Sequence, residues 1–152
     1  MAEQAEVSNV KQYIAVMIND EQYGIDINYV DNIVRMQRIT RVPKAQEYFP
    51  GVINLRGEIV PVMSLRRRFG FPDDTFTPKT RILILKPEPQ ASIGFIVDEV
   101  KEVVNLEDAD VDKIVTSEDK VTYVTGVGKH AKGLVSLLNI PAVLAEKEAE
   151  GK

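Results

Sequence analysis

Apolar and polar residues alternate over short stretches along most of this chain, and turn formers punctuate those stretches. Gln12–Ile18 (QYIAVMI) and Gln22–Ile27 (QYGIDI) are β-prone runs separated by Asn-Asp-Glu, which predicts a hairpin. From Asn28 the spacing changes. Tyr29, Val30, Ile33 and Val34 fall at helical intervals behind an N-cap residue, which predicts two turns of helix over Asn28–Arg35. Ile39–Val42 reads as a strand ended by Pro43. GVINL and EIVPVMSL then form a second hairpin, with Arg56-Gly57 as its turn and Gly57 supplying a positive φ. Leu65–Phe69 is one helical turn, and Gly70–Lys79, rich in Pro, Asp and Thr, is the best internal boundary. Beyond it lie strands at Arg81–Lys86, Ser92–Val97, Val100–Asn105, Val121–Val127 and Gly133–Leu138, and a closing helix within 140–148. Met1–Val10 and Glu146–Lys152 read as loose ends.

About ten short strands with turns at this spacing predict a mainly β fold. Two barrel-like halves, approximately 11–70 and 80–138, would close their own sheet edges inside a single domain spanning 1–152. A chain of 152 residues can build a core without staples, and it contains no cysteine, which excludes thiol catalysis, zinc-thiolate sites and disulfides. With 19 Lys and Arg against 23 Asp and Glu, the net charge is −4, so the chain lacks the overall positive field of a non-specific nucleic-acid binder. A polar, acidic start and the lack of a long apolar run point to a soluble intracellular protein with no membrane insertion.

Catalytic chemistry finds little support. The single histidine, His130, sits in GVGKHAKG with no identifiable partner. Gly128-Lys129 fails as a phosphate loop, because Tyr123 and His130 stand where a glycine and a hydroxyl are needed. Asp108, Asp110 and Asp112 alternate like calcium-loop ligands, with Asp119 at the last position, yet Lys113 replaces the turn glycine. A solvated acidic loop explains them better. No enzyme, cofactor or metal is therefore expected. Arg66, Arg67 and Arg68 are the densest positive charge and read as a solvated face able to touch an acidic surface. Arg56 beside Gly57 is either turn chemistry or a guanidinium presented to a partner by a rigid hairpin.

Three ordered blocks carry a likeness to a known family. EQYGIDINYVDNI, then ITRVPKAQEYFPGVINLRGEIVPVMSLRRRFG, then IGFIVDEVKEVV resemble the bacterial chemotaxis coupling protein (CheW) family in order and spacing, over nearly the whole chain. The resemblance implies two small intertwined five-stranded, SH3-like β-barrels sharing a hydrophobic core, with short helices. It implies a non-catalytic adaptor that couples chemoreceptors to the chemotaxis histidine kinase in signalling arrays. The implied partners are the kinase regulatory domain and the cytoplasmic tip of methyl-accepting chemoreceptors, and the implied location is the cytoplasm, at receptor arrays. Carried over by position, Val30, Asn32, Ile33, Gly51, Arg56 and Gly57 correspond to a receptor-binding groove and hairpin, with Gly94 and Val100 from the second half. No kinase-binding residues are assigned. Asn139 departs from the pattern, since an acidic residue more often stands there before the last helix.

Two rivals remain at this level. A free-standing paralogue of the kinase regulatory domain would share the fold, and the chain has no room for a kinase's histidine bundle or ATP module besides. A nucleic-acid-binding barrel would want aromatics and lysines alternating on one face, whereas the five Tyr and five Phe here are scattered among acidic residues.

Overall fold

The computed structural model describes residues 10–88, 91–113, 123–130 and 133–145. The first hairpin pairs β1 (Lys11–Ile18) with β2 (Glu21–Asp26) through a turn at Asn19 and Asp20. Both turn residues are left-handed, with φ of 54° and 69°. Asn and Asp tolerate that region because their short polar side chains bond locally, and two left-handed residues match the twist of the flanking strands. β4 (Gly51–Leu55) and β5 (Glu58–Ser64) form the second hairpin, and β6 (Arg81–Glu88) and β7 (Ala91–Val97) the third. β8 (Glu99–Leu106), β9 (Val111–Lys113), β10 (Val124–His130) and β11 (Gly133–Leu138) follow.

Residues 30–35 are not helical. A short 3-10 turn at Ile27–Tyr29 leads directly into strand β3 (Val30–Arg35), which pairs with β6. A bulge between Val30 and Asn32 shifts the register there. Val30 therefore lies opposite Leu85 and Ile33 opposite Leu83, so the two share a face although three residues separate them. The bulge produced a helix-like spacing in a β-branched strand. Ile39–Val42 contributes only an isolated bridge, from Thr40 to Val52.

The strands form two sheets, in the orders β8-β1-β2-β11-β10-β9 and β3-β6-β7-β5-β4. The division at 71–79 does not separate them. β1 and β2 from the N-terminal part join the first sheet, and β6 and β7 from beyond the linker complete the second. Two contiguous halves, 11–70 and 80–138, are thus replaced by an exchange of hairpins, because each hairpin finds its free edge in the other half: β2 along β11, and β7 along β5, both parallel. Neither ladder closes into a full ring. The fold is mainly β with two short helices, α1 (Leu65–Phe69) and α2 (Ile140–Leu144). The 146–148 part of the expected closing helix lies outside the described residues.

Three apolar clusters result. Ile53, Val60, Val62, Ile82, Ile84 and Ile96 cluster on one face of the second sheet. Ala15, Val104, Leu106, Val135 and Leu137 cluster on one face of the first. The largest lies between the sheets, where Ile14, Val16, Ile18 and Ile25 of the first meet Met63, Leu83, Leu85, Phe95 and Val97 of the second. Leu65 of α1 and Ile140 and Val143 of α2 plug it.

The three arginines of α1 are not a solvated face. The Arg66 guanidinium donates to both carboxylate oxygens of Asp98, Nε to Oδ1 at 3.0 Å and Nη2 to Oδ2 at 2.7 Å. The Asn19 amide also donates to Asp98 Oδ2, at 2.8 Å, which ties α1 to the first hairpin's turn. Arg67 pairs with Asp73 and donates to the Glu47 carbonyl. Arg68 is buried; it donates to the carbonyls of Val143 and Ala145 at the end of α2 and stacks on Tyr48, 4.2 Å from the ring centre. Ser64 caps α1 by accepting from the Arg67 amide, and Gly70, at φ 81°, ends it in the left-handed conformation.

Two outcomes follow from this arrangement. A fragment ending at Phe71 would hold β1 and β2 without their sheet and β3–β5 without β6 and β7, so calorimetry should find no cooperative transition in it and a single one in the whole chain. Burial pushes the Asp98 carboxyl up, but the bonds from Arg66 and Asn19 and the guanidinium charge outweigh it and hold it below the usual carboxylate range. A depressed folded-state value stabilises the protein above the unfolded value, about 4, and that stabilisation is lost as pH falls through the folded one. Arg66→Met should cost about 1–3 kcal/mol at neutral pH and flatten the fall in stability below about pH 4, as denaturant titrations across pH would show.

Candidate functional site

The eight positions marked by resemblance separate into three groups. Gly51 and Gly94 are buried and cannot present atoms to a partner. A Cβ on Gly51 would lie 2.1 Å from the Thr40 carbonyl oxygen, and one on Gly94 would lie 2.7 Å from Ile82 Cγ2. These glycines permit close approach: the first lets the chain at Thr40 bridge to β4, and the second lets β7 pack inside its own sheet. At both positions the structure shows a steric requirement for glycine.

Asn32, Arg56 and Gly57 belong to one end of the second sheet. Arg56 has φ 55° and Gly57 φ 85°, so the β4–β5 turn uses two left-handed residues, as the first hairpin does. Asn54 Oδ1 accepts from the Gly57 amide at 3.0 Å and stiffens the tip. Asn32 and Arg56 line a depression of about 120 Å³ together with Asp31, Glu58 and Lys86. Asn32 Oδ1 is buried there and accepts no hydrogen bond. A buried acceptor left unpaired costs about 1–3 kcal/mol.

Val30, Ile33 and Val100 belong to the boundary between the sheets. Val30 and Val100 are half-buried against the shared core. Ile33, opposite Leu83, lies on the face that β3 turns to that core, yet stays 40% exposed because β3 is an edge strand. The other sheet has a counterpart that sequence reasoning did not mark. Val103 lies opposite Ile14, on the core-facing side of edge strand β8, and is 48% exposed. The alternation of KEVVNL was the available signal: Val104 is buried inside its sheet, so Val103 had to point the other way.

Elsewhere the sequence's polar clusters serve the fold. Asp110 accepts from the Glu107 amide, and Asp112 pairs with Lys129 at 3.5 Å, while Asp119 lies outside the described residues. His130 ends β10 opposite Gly133. Among the described residues no three of His, Cys, Asp and Glu gather as metal ligands. Asn139 caps α2, its side-chain oxygen accepting from the Ala142 amide at 3.2 Å. An Asp at this position could cap the helix in the same way.

Two interleaved β-sheets with an apolar boundary and a rigid charged hairpin define a β scaffold that works through its surfaces. The family model for the CheW-like domain matches residues 12–148. The chain belongs to that family. It is 32% identical over 148 residues to the chemotaxis protein CheW of Bacillus subtilis, covering 96% of this chain and 94% of that one. The Helicobacter pylori protein of the same name is 33% identical over 146 residues, covering 94% and 87%. The crystal structure of the scaffolding protein TtCheW from Thermoanaerobacter tengcongensis superposes with a TM-score of 0.79 at 29% identity, covering 90% of this chain and 94% of that one.

Arg56 occupies a left-handed position that disfavours a long side chain. Replacing it with Asn, which tolerates that conformation, should raise stability by up to about 1 kcal/mol in chemical denaturation. A loss of stability would show that the guanidinium supports the fold.

Proposed function

We propose that this protein is a non-catalytic scaffold of bacterial chemotaxis that binds the helical tip of chemoreceptors along the boundary between its two sheets. The observation that carries this reading is the exposure of Ile33 and Val103 on the core-facing sides of two edge strands, above half-buried Val30 and Val100. An apolar stripe at a sheet margin suits the apolar face of a helix laid into a groove. Arg56 supplies a charged contact at the end of β4–β5, beside Asn32 in the same depression. The second partner is the regulatory domain of the chemotaxis histidine kinase, as family membership suggests. No described helix is long and apolar enough to cross a membrane. We place the protein in the cytoplasm, held at receptor arrays by these partners.

The test is titration of a receptor-tip fragment into Ile33→Asp, Val103→Asp and Arg56→Glu, with unfolding curves alongside. All three side chains are exposed, so the variants should fold. Each should weaken binding by roughly ten- to hundredfold, the effect of losing about 1.5–3 kcal/mol at an interface. Parental affinity in both apolar variants would remove the boundary from the interface, and retained affinity in Arg56→Glu would make that residue a turn element alone.

A further inference from the structure

At the end of the second sheet opposite the Arg56 hairpin, the charge of this acidic chain reverses. β3 ends at Arg35, which lies directly opposite Arg81, the first residue of β6. Arg81 in turn lies opposite Val97, the last residue of β7. The register therefore gathers the end of β3, the start of β6 and the chain leaving β3 at one rim. That chain carries Arg38, Arg41 and Lys44 at every third position, all exposed. None of Arg35, Arg38, Arg41 or Lys44 is paired with a carboxylate of a described residue. Asp98 is engaged by Arg66 and Asp73 by Arg67, while Glu47 lines a separate hollow with Arg41 and Lys44 and forms no ion pair with a described residue.

Like charges directly across a strand pair repel, and Arg35 and Arg81 are held in that relation. Their side chains line a cleft of about 400 Å³ with Met36, Thr77, Pro78 and Thr80. Among the described residues no carboxylate lines it. Arg81 is fixed through Nη1, which donates to the carbonyls of Pro78 at 2.8 Å and Thr80 at 2.9 Å. Its Nε and Nη2 hydrogens stay available. The Thr77 hydroxyl oxygen accepts from the Lys79 amide and that of Thr80 from the Thr77 amide, which leaves both O–H groups as donors. Thr80 is 3% exposed, so its donor has few alternatives in water. The cleft is a set of oriented donors around two cations with no anion of its own.

We propose that this cleft and the arginines beside it bind an acidic segment of a protein partner, with one carboxylate seated between Arg35 and Arg81. Guanidinium forks match carboxylates in two-point geometry. A cleft that admits one or two side chains suits a peptide better than the flat face of a bilayer. The seated carboxylate would also relieve the cross-strand repulsion, so binding and stability are linked at this rim. The inference is independent of the receptor reading, which concerns the other end of the sheet and the boundary between sheets.

The full-length protein should be titrated with an end-capped tetraglutamate peptide and followed by amide chemical shifts, with inorganic phosphate and phosphatidylglycerol vesicles in parallel. The expected result is saturable peptide binding that weakens as salt rises, with the largest shifts at Arg35, Thr77, Thr80 and Arg81. Arg35→Glu replaces repulsion by attraction across the strands. It should melt at or above the parent temperature and lose peptide affinity by roughly ten- to hundredfold. Arg35→Gln, a neutral change at an exposed site, should lose affinity while keeping the parental fold. Absence of saturable binding, unchanged affinity in these variants, or shifts centred elsewhere would overturn the proposal. Phosphate bound as tightly as the peptide, or vesicles bound in its place, would overturn it equally by assigning the rim to a different anion.

Discussion

The apolar layer between the two sheets is the constraint on which the rest of the structure depends. β1 and β2 present apolar side chains on both faces: Ala15 packs inside their own sheet, while Ile14, Val16, Ile18 and Ile25 meet the other. A hairpin buried on both sides cannot end at a solvent-exposed surface. It needs a second sheet, and Leu83, Leu85, Phe95 and Val97 of β6 and β7 provide one. The exchange of hairpins across the linker is the topological form of the same requirement, because each sheet carries strands from both parts of the chain. Ile33 and Val103 lie across their strand pairs from Leu83 and Ile14 of this layer, so each proposed docking side chain adjoins a core residue.

Around that layer, α1 is a hub whose charges point in three directions. Arg66 reaches the corner after β7 and the first hairpin's turn, Arg67 reaches the linker, and Arg68 reaches the end of α2. Arg68 is the most demanding of the three. A buried guanidinium needs its donors satisfied, and carbonyls at the end of α2 with the faces of Tyr48 and Tyr123 supply partners without a counter-charge among the described residues. Carbonyls at a helix end are themselves short of donors. One side chain thus resolves two deficits while holding Ile140 and Val143 in the shared core.

Local signals in the sequence specify local structure well. The two hairpin turns, the helical turn at Leu65–Phe69 and most strand positions follow from residue chemistry over a few positions, and the structure agrees. What failed was non-local. The bulge at Val30–Asn32 is a property of pairing with β6, and without that partner its three-residue spacing is indistinguishable from a helical one. The arginines of α1 read as solvated because their acceptors lie in the linker, after β7 and beyond β11. Gly51 and Gly94 stood out as motif positions, but only the backbone at Thr40 and the side chain of Ile82 reveal that their motif is steric. Family resemblance marked Ile33, Val100 and Arg56, and the opposing Val103 required knowing which face of β8 meets the core.

The molecule also contains its own control for reading Arg56. Its first two hairpins turn through the same pair of left-handed residues, at φ 54° and 69° in one and 55° and 85° in the other. The first uses Asn19 and Asp20, which accept that conformation at low cost, and Asn19 is bonded into the fold through the Asp98 carboxylate. The second keeps Gly57 where glycine is favoured but sets an arginine where Asn or Asp would be easier. Turn chemistry alone does not select that residue, because the same chain shows what turn chemistry selects. Nor does the fold use its charge, since Arg56 is exposed and has no ion pair among the described residues. A long cationic side chain at a strained, rigid and exposed tip is thus left without a role inside the fold that the described residues show, which is the opening the proposed receptor contact would fill.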